Sequence, residues 1–265
     1  MRNSRRKFIK KTGLVGVAGL SFPATGLANL KTNSMENLEN KRPKVLFFDV
    51  NETLLDLTKM KDSVRKALNG KEDLLPLWFT TMLHYSLVET AANQYRDFGE
   101  IGAASLIMVA ANNNIQLSME KAKEAIAPIT SLPPHPEVKN ALQRLKDDGY
   151  RLVSLTNSSN AGVKKQFTNA GLLDFFEERL SIEDIGKYKP HFDSYNWAAR
   201  KMGIKPEEAM LIAAHGWDVA GAIWAGWRAA FISRPGQQKY PMAPETEISA
   251  PNLKLISEKL IALGK

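Results

Sequence analysis

The 265-residue sequence predicts an α/β fold: a Rossmann-like parallel sheet with a helical subdomain inserted after its first strand. Three observations predict it. Four short apolar runs have the length and the β-branched or aromatic content of buried strands. Helical patterns separate them, and strands that alternate with helices pair in parallel. One long interval, residues 58–129, contains no convincing strand.

The chain begins with an address. Ser4-Arg5-Arg6-Lys7-Phe8-Ile9-Lys10 reads as a twin-arginine export motif, followed by a mild apolar stretch over residues 13–22. Gly26-Leu27-Ala28 offers small residues for cleavage, and the apolar stretch is too short to span a membrane. Residues 1–28 are therefore expected to be a signal peptide, and the mature protein is expected in the periplasm. They hold six basic and no acidic side chains, so the net charge of +8 falls to +2 without them. A nearly neutral mature chain gives no reason to invoke a polyanionic partner. The chain has no cysteine, which excludes disulfides, thiolate metal sites, a cysteine nucleophile and a lipid anchor on that residue. Residues 29–43 read as a polar linker.

The first strand candidate, Lys44-Val45-Leu46-Phe47-Phe48-Asp49-Val50, is apolar and ends on an acid. The interval 58–129 follows, with Leu74, Leu77, Trp78, Met82 and Tyr85 at helical spacing. Pro133-Pro134-His135-Pro136 marks the return to the core domain, which comprises residues 44–57 and 130–265. Further strand candidates are 151–157, 209–215 and 228–233, and helices are expected over 136–148 and 192–202. Trp217, Trp224 and Trp227 have the spacing of one helix face and are read as core packing. In open α/β sheets, ligands bind beyond the carboxyl ends of the strands. Asp49, Thr156-Asn157 and His215 all stand at such ends, with Asp218 close behind, so residues distant in sequence are expected to meet at one site.

On these residues the chain resembles the haloacid dehalogenase (HAD) superfamily. Four motifs occur in that family's order: Phe48-Asp49-Val50-Asn51-Glu52-Thr53-Leu54-Leu55-Asp56; Leu155-Thr156-Asn157-Ser158; Lys189-Pro190, with Tyr195 six residues after the lysine; and His215-Gly216-Trp217-Asp218. With the helical cap, the resemblance covers almost all of the mature chain. It implies a covalent mechanism with Asp49 as nucleophile and Lys189 as its cation. Phosphatases of the superfamily usually carry a second Asp where Asn51 stands and often a magnesium-binding acid where Ala214 stands. An amide is no acid and an alanine no ligand for a hard cation. Both losses resemble the type II 2-haloacid dehalogenases, since halide leaves without a proton.

The resemblance therefore implies a hydrolase acting on carbon–halide bonds, giving 2-hydroxy acids from small 2-haloalkanoic acids through an aspartyl ester. Halide would depart towards Asn157, while Thr156 and Lys189 hold the carboxylate or the nucleophile. Phe79 stands where well-known members carry an arginine. The motifs Asp-Val-Asn-Glu-Thr and His-x-Trp-Asp resemble a branch in which Glu52 and His215 form a dyad that activates water. Asp218 is the alternative base, or a structural partner of Lys189. Phe79, Tyr195 and Trp217 are candidate pocket walls. No chemistry is assigned to His84, His135 or His191, and no cofactor or metal ligand is expected. The expected partner is a small-molecule 2-haloacid, with no nucleic acid and no stable membrane anchor; a homodimer stays open. A phosphatase on a small phosphate ester and a non-catalytic binding protein on the same scaffold are the alternatives.

Overall fold

The computed structural model describes residues 41–264. The expected leader and all but the last three residues of the expected linker lie outside them. β1 (Val45–Phe48) consists of four apolar residues, all fully buried, so it can only be an interior strand. Beside it lie β2 (Arg151–Thr156) and β4 (Ala209–Ala213), and next to β4 lies β5 (Arg228–Ile232). Two short strands close the edges: β3 (Glu178–Ser181) beside β2 and β6 (Ile248–Ala250) beside β5. The order is β3-β2-β1-β4-β5-β6, and every pair is parallel. Connections run one way from β1 through β2 to β3 and the other way from β4 to β6. The crevice beyond the carboxyl ends of β1 and β4 is thus the switch point at which such sheets bind ligands.

Between β1 and β2 run five α-helices and no strand, and the first four are α1 (Thr58–Ala67), α2 (Leu74–Ala91), α3 (Phe98–Asn112) and α4 (Met119–Ile126). They enclose most of the interval 58–129. On α2, Leu74, Trp78, Met82, Ser86 and Thr90 are buried at four-residue spacing. Leu77 and Tyr85, expected on the same face, are exposed, because they lie one residue before and three residues after the buried row. Core helices follow: α5 (Val138–Asp147), α6 (Asn160–Ala170), α7 (Phe192–Lys201), α8 (Gly216–Trp224) and α9 (Leu253–Ala262). No helix among the described residues is long and apolar enough to cross a membrane.

The three tryptophans do not share one helix face. α8 ends at Trp224, whose side chain is exposed at the surface. Trp227 lies in the following loop and packs on Phe47 with ring centroids 4.4 Å apart. Only Trp227 is a core residue; Trp217 is half-buried.

α8 presses against the Lys189-Pro190 peptide and α7 through Gly221. A Cβ there would collide with Pro190 and lie 2.7 Å from Tyr195 Oη. Helix propensity alone favours Gly221→Ala by about 1 kcal/mol, but overpacking against two rigid rings costs about 1–3 kcal/mol. The variant is expected to unfold at lower urea concentration than the wild type; a higher midpoint would show that the contact is not tight.

Candidate active site

Asp49 is the first residue beyond β1, and its backbone N–H still donates to Ile212 O on β4 at 3.1 Å. Its carboxylate therefore emerges at the switch point. Thr53 Oγ1 donates to Asp49 Oδ2 at 2.7 Å and accepts the Ala214 N–H at 2.9 Å, so one hydroxyl ties the carboxylate to the end of β4. Lys189 is fully buried. Its Nζ lies 3.1 Å from Asp49 Oδ1 and 2.5 Å from Asp218 Oδ2. Asn157 Oδ1 accepts the Lys189 N–H at 3.0 Å, and Tyr195 Oη donates to Asp218 Oδ1 at 2.6 Å.

His215 stands between two carboxylates. Its Nε2 is 3.1 Å from Glu52 Oε2. Its Nδ1 is 3.3 Å from Asp49 Oδ2, an ion-pair contact without hydrogen-bond alignment. The Phe79 and Trp217 rings lie nearly parallel to the imidazole, with centroids 5.9 and 5.2 Å away. Glu52 is held in turn by Lys61 Nζ on α1 at 2.9 Å and by Gln237 Nε2 at 2.8 Å.

Glu52 reaches His215 from a left-handed backbone, with φ of 65°. For a residue other than glycine this costs on the order of 1–3 kcal/mol and persists only where the surroundings over-determine it. Here they do. His135 Nε2 donates to Glu52 O at 2.9 Å, and Arg234 donates to Thr53 O at 3.0 Å while pairing with Glu137 at 2.7 Å. Burial and the nearby Arg234 charge hold His135 below its ordinary pKa, so it serves this carbonyl as a neutral donor.

The charges follow from these contacts. Burial opposes ionisation of Asp49, but Lys189 and His215 overcome it and hold the carboxyl far below its usual range. Burial likewise opposes the Lys189 ammonium, yet Asp218 and Asp49 push its pKa up. Burial raises Asp218, only partly offset by Lys189. For His215, burial favours the neutral ring, but Asp49 and Glu52 win and raise it to about 9. The resting site thus pairs an anionic Asp49 with two cations.

Asp49, Asn51, Asn157, Ser158, His215 and Trp217 line one side of a cavity of about 350 Å³ between the sheet and the helices α1 to α4. Phe79 lines it from α2. Asn157 is buried with its oxygen engaged by Lys189, and its amide NH2 has no protein partner among the described residues. Asn51 bridges β1 to α6: it donates to Ser158 Oγ at 3.2 Å and accepts from Gln166 at 2.8 Å.

Two expectations need correction, and for Asp218 the geometry favours one of its two expected roles. Thr156 does not line the cavity; it is fully buried, and its Oγ1 accepts the Ser158 N–H at 3.1 Å, shaping the turn after β2. Tyr195 is no pocket wall; it lies behind the site with its hydroxyl on Asp218. Asp218 is fully buried with both oxygens engaged, which makes it the partner of Lys189 and leaves it no route to water in the cavity. The residues that spacing did not single out are Thr53, Lys61, Gln166 and Gln237. Thr53 sits inside a quoted motif and could have been noticed; Gln237, in the loop after β5, carries no local signal.

Comparison with known proteins agrees with this geometry. A family model described as a haloacid dehalogenase-like hydrolase matches residues 43–226. Haloacetate dehalogenase H-2 of Moraxella sp. (strain B) is 29% identical over 197 residues, covering 74% of this chain and 88% of that protein. The (S)-2-haloacid dehalogenase of Pseudomonas sp. (strain YL) is 25% identical over 210 residues, covering 78% and 90%. The solved L-2-haloacid dehalogenase from Xanthobacter autotrophicus superposes with a TM-score of 0.77 at 22% identity, over 84% of this chain and all of that one.

His215 makes stability depend on pH. Its folded pKa, about 9, lies above the unfolded value near 6.5, so the stabilisation is complete below about pH 6.5 and is lost as pH rises through 9. The loss is on the order of 3 kcal/mol. Urea unfolding at intervals from pH 6 to 10 is expected to show this decline in the wild type and a much flatter profile in His215→Gln. Parallel profiles would mean that the imidazole is not held protonated.

Proposed function

The chain belongs to the haloacid dehalogenase-like hydrolase family, and we propose that within it the protein is a hydrolytic dehalogenase of small 2-haloalkanoic acids. One observation carries the reading: Asp49 is kept anionic by Lys189 and His215 at the wall of a cavity, and neither neighbour that a phosphate-ester mechanism would use is present. Asn51 cannot donate a proton as an acid does, and its amide is already bound to Ser158 and Gln166. Ala214 offers no side-chain oxygen. Halide departs without a proton, so dehalogenation needs neither. The names of the curated relatives, haloacetate and (S)-2-haloacid dehalogenases, support the same substrate class.

An Asp49 oxygen attacks C2 of the substrate; the new C–O bond forms as the C–halogen bond breaks, and C2 inverts. Halide leaves with the bonding pair towards the amide of Asn157. The product is an ester of Asp49, which is uncharged. That change alters His215, because the anion facing Nδ1 is gone while burial still favours the neutral ring. Nδ1 gives up its proton to solvent in the cavity and becomes the base, and Nε2–H stays on Glu52. Water then loses a proton to Nδ1 and adds to Cγ of the ester. The Cγ–O bond to the substrate breaks, the alkoxide takes the proton of the new Asp49 carboxylic acid, and a 2-hydroxy acid leaves with Asp49 again a carboxylate and His215 again protonated. Lys189 holds the carboxylate in place throughout, with Asp218 and Tyr195 behind it. The leader at residues 1–28 supports a periplasmic location, reached by the twin-arginine route.

Halide release from 2-bromopropionate tests the reading. Wild type is expected to turn over continuously and equally well in excess chelator. His215→Ala is expected to release about one halide per site and then slow by roughly 100-fold or more, the scale of a lost general base. Intact mass spectrometry should show the enzyme carrying the acyloxy adduct. No halide release, with magnesium-dependent release of phosphate from a small phosphate ester, would instead make the protein a phosphatase-type member of the family.

A further inference from the structure

The cavity is larger than the simplest substrate of this class requires. Its volume of about 350 Å³ lies within the range of roughly 300–1,000 Å³ that accommodates ligands of drug size. It is room for on the order of ten waters at about 30 Å³ each. A haloacetate has five non-hydrogen atoms and would leave most of that space unfilled.

The spare room has one chemical character. The polar groups that act on the reacting centre, Asp49, Asn157 and His215, belong to the sheet side. The opposite wall is built by Leu57, just before α1, and from the helices by Met60, Trp78, Met82, Phe98 and Ile126. Two polar atoms near that wall are engaged within the protein. Trp78 Nε1 donates to Gly102 O at 2.9 Å, so the indole offers only its ring. Asp97 Oδ1 accepts the Gly99 N–H at 2.7 Å as the cap of α3. The cation on the lining, Lys123, is exposed at the rim. A Cβ at Gly102 would lie 3.0 Å from Met82 Sδ, so a side chain there would press on Met82 where it lines the cavity.

We propose that this apolar chamber receives the group carried on C2 of the substrate, and that the enzyme prefers 2-haloacids with an extended alkyl or aryl substituent over haloacetate. The proposal rests on the dehalogenase reading and deepens it. A polar substituent would exchange its water hydrogen bonds for few partners on a wall that is mostly apolar. An alkyl chain would gain by burial, about fourfold per methylene until the chamber is filled. The substituent would also exclude water from Asp49 during the first step, when the attacking carboxylate needs no solvent.

Two measurements separate the proposal from the reading beneath it. Halide release is followed with bromoacetate, 2-bromopropionate, 2-bromohexanoate and 2-bromo-2-phenylacetate. kcat/KM is expected to rise by about 50-fold from 2-bromopropionate to 2-bromohexanoate, the scale of three buried methylenes. Leu83→Trp, which adds bulk at a half-buried position on the same lining, is expected to reduce that ratio at least fivefold, and Gly102→Ala to reduce it in the same direction. Independently, tryptophan fluorescence is titrated with the product-like ligands glycolate and 2-hydroxyhexanoate, because Trp78 and Trp217 face the cavity. Tighter binding of 2-hydroxyhexanoate supports the chamber even without turnover. A ratio near one, with halide release that depends on Asp49, would overturn the chamber and leave the dehalogenase reading standing. Absence of halide from every substrate would overturn the dehalogenase reading. Equal binding of the two hydroxy acids would overturn the chamber on its own.

Discussion

A carboxylate taken out of water stays an anion only beside positive charge, and Asp49 is buried between Lys189 and His215. Removing even one ion from water costs several kcal/mol, so each member of this cluster depends on the others. Lys189 can be fully buried because Asp49 and Asp218 share its charge. Asp218 can be fully buried because Tyr195 and Lys189 occupy its oxygens. The sheet topology makes the cluster possible: β1 delivers Asp49, the turn after β4 delivers His215, and the loop before α7 delivers Lys189, all at one end of the sheet.

The same constraint explains the one strained residue that touches the reaction. Glu52 turns back three residues after Asp49 to meet the far nitrogen of His215, and it does so from a left-handed backbone. The left-handed turn solves the geometry, and His135 and Arg234 hold it by taking the carbonyls of Glu52 and Thr53. Two histidines in one region therefore do opposite work. His135 is kept neutral and fixes backbone; His215 is kept charged by two acids, one of which the reaction itself removes.

Much of this was legible in the sequence because the strands near the active site are strongly apolar and end abruptly. Val45 to Phe48 followed by Asp49 signals both a buried strand and an acid at its end, and the run that ends at His215 does the same. The edge strands left no such mark: β3 reads Glu-Arg-Leu-Ser and β6 has three residues, so neither carries an apolar run. Motif spacing placed Thr156 and Tyr195 near the reaction but did not tell the cavity side from the rear. Both carry hydroxyls that serve the structure behind the site. Trp224 and Trp227 were misplaced for a simpler reason, since α8 ends between them and the helical spacing no longer applies. Lys61 and Gln237 became visible only in three dimensions, because what matters about them is Glu52, nine residues from one and 185 from the other.

The central claim is that the charge on Asp49 sets the protonation of His215. NMR titration of a sample with ¹⁵N-labelled histidine measures this directly in the wild type and in Asp49→Asn, whose amide has the shape of the carboxylate and the neutrality of the ester. The account predicts that His215 titrates near 9 in the wild type and at least one unit lower in the variant. The same pKa in both proteins, or an imidazole already neutral at pH 7 in the wild type, would contradict it.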